Sequence, residues 1–135
     1  MSLCRKFLVL CVAMAVSGSA WSHHSFAMFD LDKEVTLEGV VKDLQWANPH
    51  VWLEILVPDA KGRMTQWGLE MGTTGMLTRA VWKSSTLKPN DKVKVVINPA
   101  KNGGSSGRLL SVTLPDGRVL GPGGPGALPS PKPPV

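Results

Sequence analysis

The chain predicts an all-β fold with a small α content: a five-stranded OB-like Greek-key barrel over residues 35–120, with one short helix between strands 3 and 4. Three observations predict it. Apolar residues recur at every second position through most of this stretch, as in strands with one buried face. Clusters of Pro, Gly, Asn and Asp punctuate the repeats. One run of helical spacing falls after the third strand. A plain β-sandwich fragment is the alternative architecture. No internal repeat is visible.

The first strand lies in VTLEGVVKDLQW, where Val35, Leu37, Gly39 and Val41 share a face. A glycine inside a strand marks a bend or a close backbone approach, so Gly39 predicts a barrel corner. In HVWLEILVPDAKG, Val51, Leu53, Ile55 and Val57 alternate with His50, Trp52 and Glu54, and residues 58–62 form a turn. The third strand spans 64–71, with Trp67, Leu69 and Met71 on one side. Thr73 or Thr74 then caps a short helix, in which Met76, Leu77, Ala80 and Val81 have the spacing of a buried stripe. Strand four, 92–97, turns Val93, Val95 and Ile97 inward. A flexible linker, 99–107, leads to strand five at 108–114, and a hairpin at 115–117 follows.

The ends differ in kind. Arg5 and Lys6 precede an apolar run over 7–16 and small residues over 17–20, the three parts of a secretory signal peptide. The run falls short of the about 20 apolar residues that span a bilayer. An uncleaved anchor is the alternative. Cys11 follows bulky Leu10 too early to be a lipid attachment site. Cleavage fits after Ala20 or after Ser22. The expected domains are therefore a signal peptide at 1–22, an N-terminal arm at 23–34, the barrel at 35–120 and a disordered Pro/Gly-rich tail at 121–135. After processing, no segment would span a membrane.

Both cysteines, Cys4 and Cys11, lie in the leader, so the mature chain would have no disulfide and no thiolate metal site. The leader also carries two of the 15 basic residues and no acid. The mature balance is 13 basic against 10 acidic residues, a net charge of +3. With no dense basic cluster and with export expected, nucleic acid is not the partner.

The histidines carry the chemistry. The chain has three, His23, His24 and His50. Imidazole is the commonest protein metal ligand. Cleavage after Ser22 frees the amine of His23, which chelates together with its own imidazole, and His24 or His50 would complete three nitrogens. Cleavage after Ala20 leaves Trp21-Ser22-His23, where the amine, two amides and the imidazole form a square plane. Both outcomes suit Cu(II), so copper is the expected cofactor, with His23, His24 and His50 as ligands. The bland alternative is a polar terminus with a structural His50.

Trp46-Ala47-Asn48-Pro49-His50 forms a stiff corner between strands. Trp52 and Glu54 extend the same outer face, and Trp46, Asn48, Trp52 and Glu54 make a candidate ligand surface. Glu54 could orient His50 from behind, although residues four apart on a strand are about 13 Å apart. Trp46, Trp67 and Trp82 also suit a core or barrel cap, and the methionines suit core filling. No catalytic constellation emerges. Ser25 beside His24 is not a triad, and Gly103-Gly104 lacks the setting of a phosphate loop.

HHSF with FD, then VTLEGVV, then WANPHVWLEI, resembles a family of small exported bacterial proteins of unknown function marked by paired histidines and an Asn-Pro-His segment. The likeness covers residues 23–114. It implies export and a compact β-rich domain, and brings no activity with it. Three function classes follow. The first is an exported non-enzymatic binding domain holding a metal ion. The second is a metal-free module that binds an envelope protein through the Trp52 face or the tail. The third is a copper-dependent redox enzyme.

Overall fold

The computed structural model describes residues 26–122 and 124–125. The predicted leader, His23, His24 and most of the predicted tail lie outside the described residues. The elements are β1 (Val35–Gln45), β2 (Trp52–Pro58), β3 (Met64–Glu70), helix α1 (Thr74–Arg79), β4 (Lys92–Pro99), β5 (Ser106–Thr113), β6 (Val119–Gly121) and β7 (Gly124–Pro125).

The sheet order is β3-β2-β1-β4-β5-β6-β7, and an additional β3–β5 pairing closes the first five strands into a barrel. All other pairings are antiparallel, while β3 and β5 run parallel over Gly68↔Ser106, Leu69↔Gly107 and Glu70↔Arg108. The expected barrel, with its single helix between β3 and β4, is what forms.

β1 serves two neighbours. Its first half pairs with β4, from Val35↔Ile97 to Val40↔Lys92, and its second half pairs with β2, from Val40↔Leu56 to Gln45↔Trp52. A register shift between Val41 and Asp43 accompanies the handover; an extra residue in one strand bends it. Gly39 stands at the corner, where a Cβ would collide with the carbonyl oxygen of Leu56.

The alternation read from the sequence sorts the faces. Val51, Leu53, Ile55, Leu69, Met71, Val93, Val95 and Ile97 are buried in one core with Leu109 and Val112. Each fully buried aliphatic side chain contributes roughly 1.5–3 kcal/mol, which lets a small barrel stand on its interior.

Four expectations need correction. Met76 and Val81 are 53% and 54% exposed, not core residues. The helix ends too early for that stripe: Ala80 is its C-cap, and Val81 reverses the chain at φ 65°. The Trp82 and Val81 amides donate to the Leu77 and Thr78 carbonyls, a Schellman closure. It delivers Trp82 into the core, 1% exposed, with its Nε1 donating to the Gly121 carbonyl at 3.1 Å. Second, Val57 is only half-buried, since β2 leaves the core near the hairpin. Third, the supposed linker is a compact β4–β5 turn: the Gly104 amide donates to Asn102 Oδ1 at 2.8 Å and the Ala100 amide to the Ser106 carbonyl at 3.0 Å. Fourth, pairing runs past residue 120 through Gly121↔Gly124 and Leu120↔Pro125, into the segment expected to be disordered.

The arm is tied to the same turn. After a 3-10 turn at Phe26–Met28, Phe29 bridges to Ala100 and is 2% exposed. The Lys101 amide donates to the Met28 carbonyl at 2.9 Å, and the Asp30 amide to the Pro99 carbonyl at 2.8 Å. Buried Asn98 donates from Nδ2 to the Lys33 carbonyl at 2.7 Å.

Candidate functional site

His50 sits where the β1–β2 loop becomes β2. The loop is clamped from two sides. Asn48 Oδ1 accepts from the Thr74 amide at 3.1 Å and from Thr74 Oγ1 at 3.0 Å, fastening the corner to the start of α1. The peptide bond between Asn48 and Pro49 is cis. Beyond it, the Val51 amide donates to the Gly72 carbonyl and the Met71 amide to the Val51 carbonyl, both at 2.9 Å. Val51 is buried, so its neighbour His50 faces outward by strand alternation.

The ring has definite partners. Its Nδ1 lies 3.0 Å from Glu70 Oε1 and 3.1 Å from the Met71 carbonyl oxygen. Glu70 is 8% exposed, one of three buried polar residues among those described, and the His50 side chain retains 34% exposure. A carboxylate and a carbonyl only accept hydrogen bonds. Nδ1 is therefore the protonated nitrogen, and Nε2 is left with its lone pair when the ring is neutral.

Glu70 holds its place because its strand is paired on both sides, opposite Trp52 on β2 and Arg108 on β5. Leu69 and Met71 point into the core, so Glu70 is turned to the outer face beside His50. Glu54, a candidate support for His50 that strand spacing already sets about 13 Å away, has other partners. Its two carboxylate oxygens accept from Gln45 Nε2 at 2.9 Å and Gln66 Nε2 at 3.1 Å, and Lys42 Nζ stands 3.3 Å away. Trp52 is half-buried, with its indole against bare Gly68: a Cβ there would meet ring carbons at 3.8 Å. Trp46 is half-buried and packs on the core cluster.

Of the predicted set, Trp52 and Glu54 lie on the outer face of β2, His50 stands at its head against Glu70, and Asn48 stays in the loop against Thr74. The missed residue had a signal. A hairpin closed at Pro58↔Met64 fixes Trp52 opposite Glu70, which puts Glu70 diagonally next to His50. Among the described residues, no three His, Cys, Asp or Glu side chains converge in a metal-holding group. No described helix is long and apolar enough to cross a membrane.

These features define a closed five-stranded β-barrel presenting one carboxylate-backed imidazole on its outer face. The chain belongs to a family of unknown function, DUF6152, whose model matches residues 10–109. No curated protein and no solved structure matches it.

Proposed function

We propose that this chain is an exported, non-enzymatic binding barrel that takes a copper ion between His50 and the nitrogens of a processed N-terminus, His23 and His24. The observation that carries this reading is the His50 ring: Nδ1 is engaged by Glu70 and Met71 while the side chain keeps 34% exposure, which leaves Nε2 as the ring nitrogen for a ligand. Neutral imidazole nitrogen suits copper and zinc, whereas magnesium and calcium favour oxygen.

The barrel contributes one nitrogen, so the remaining ligands come from the arm. Chain length allows it. From Phe29 through Ala100, Ser106 and Gly68 to Glu70, the register crosses three strand spacings and two residues along β3. That separation is roughly 15–20 Å. From Phe29 back to position 24 the chain passes through the 3-10 turn at Phe26–Met28 and two further residues, a reach of about 13 Å, and the imidazole arms at both ends supply the rest. The signal-like leader supports export, and its removal is what would create the chelating amine.

The test is the mature protein itself. Mass spectrometry of the secreted form should show residues 1–20 or 1–22 removed. Copper titration watched by electron paramagnetic resonance should give a nitrogen-rich, one-to-one spectrum, lost in His23→Ala/His24→Ala and weakened in His50→Ala. A spectrum like free copper, or a retained leader, overturns the reading. A second reading is a metal-free envelope-interaction module. The ordered Gln45, Gln66 and Lys42 side chains around Glu54, beside the indole of Trp52, favour it. Partner capture that survives His23→Ala/His24→Ala but fails in Trp52→Ala would select it.

A further inference from the structure

We infer that Glu70 is a positioning residue: with the Met71 carbonyl, its carboxylate locks the His50 imidazole as the Nδ1–H tautomer and aims Nε2 outward as the nitrogen offered to a borderline divalent cation, Cu(II) or Zn(II). The inference rests on the metal reading for its cation and on geometry alone for its tautomer.

The geometry is restrictive. The Nε2–H tautomer would set the Nδ1 lone pair against two oxygens at 3.0 and 3.1 Å, leaving both without the ring's proton. With Glu70 nearly buried, little water screens that lone pair from the two oxygens. Nor can the carboxylate easily swing aside. Its backbone is paired with β2 and β5 at once, and the residues on either side of it are buried. Glu54 cannot replace it, since both its oxygens accept from Gln45 and Gln66. The ring is held from the other direction by the loop that Asn48 fastens to Thr74. A carboxylate behind a ligating imidazole fixes ring orientation and raises basicity, and its loss typically costs 10–100-fold in metal affinity.

The experiment uses the processed protein, labelled with 15N-histidine, metal-free at pH 8. Long-range 15N–1H correlation should show His50 protonated at Nδ1 and bare at Nε2. Glu70→Gln keeps an accepting oxygen and should keep this tautomer, while Cu(II) or Zn(II) affinity falls ten- to a hundredfold. Glu70→Ala should raise the Nε2–H population several-fold, with amide shifts elsewhere in the barrel reporting that the fold is intact. An Nε2–H ring in the wild type overturns the inference, and so does a tautomer unchanged in Glu70→Ala. The metal reading fails separately: an Nδ1–H ring whose Nε2 signal ignores added Cu(II) and Zn(II) leaves the positioning role standing and removes the cation.

Discussion

Asn48 shows how a single exposed amide can govern a site it does not enter. Its Oδ1 takes two hydrogen bonds from Thr74, 26 residues away. Asn48→Ala is expected to lower stability by about 1–2 kcal/mol, at roughly 1 kcal/mol per net bond, and, on the copper proposal, to weaken that binding by loosening His50. Urea denaturation and copper titration of the same variant would check both. Val81 offers the opposite case. A β-branched residue in the left-handed region is strained, and its side chain is 54% exposed, so little packing would be lost on truncation. Val81→Gly should raise stability by up to about 1 kcal/mol, the cost of a freer unfolded chain offsetting part of the relief; an unchanged or lower denaturation midpoint would contradict this. Neither residue's role was plain in the sequence. Asn48 was recognisable as a corner former, but its partner lies 26 residues on, at the start of α1. Val81 looked apolar and helix-spaced, and only the early helix end explains why Trp82 takes the interior position.

The hairpins are held by short acidic clasps. In the β2–β3 turn, Asp59 Oδ1 accepts from the Arg63 and Lys61 amides at 2.9 and 2.8 Å, and Oδ2 from Arg63 Nε at 2.8 Å. Asp116 accepts from the Arg118 amide at 3.0 Å and from its Nε at 2.7 Å in the β5–β6 turn. These bonds favour the ionised form. The Arg63 amide bond chiefly holds the Asp59 carboxyl below its ordinary value, the Arg118 amide bond does the same for Asp116, and the Lys33 side chain does so for Asp30. Folded values below the unfolded ones mean that this stabilisation is present above the ordinary carboxylate range of about pH 4. It is lost as pH falls through the lowered values. Melting temperature should therefore hold level down to about pH 5 and then drop, and Asp59→Asn/Asp116→Asn should have a shallower acid limb. Strand faces were readable because period-two burial is local. Gly39 was readable as a corner for the same reason, and Gly39→Ala should destabilise by about 1–3 kcal/mol, visible in the denaturant midpoint. The His50–Glu70 pair was harder, since 20 residues separate its members and only the hairpin register joins them.

At the scale of the molecule, the barrel rests on its apolar interior, with no cysteine among the described residues. Both cysteines lie within residues 1–22 and neither belongs to a strand of the barrel, so thermal unfolding of the barrel should be insensitive to reductant. Leu109 is fully buried among strands from around the barrel, and Leu109→Ala should cost about 2–5 kcal/mol by equilibrium unfolding. Element order carried the barrel topology in advance. It could not carry the closure, which depends on a parallel contact between chain segments almost 40 residues apart.

That closure has a dynamic consequence. Glu70 belongs to the three-residue seam as well as to the imidazole's cradle, so a fluctuation that unzips the seam also strips the ring of its carboxylate. The imidazole's hold and the integrity of the cylinder then rise and fall as one event. Deuterium uptake at the seam amides and solvent exchange of the His50 ring proton should share one opening frequency.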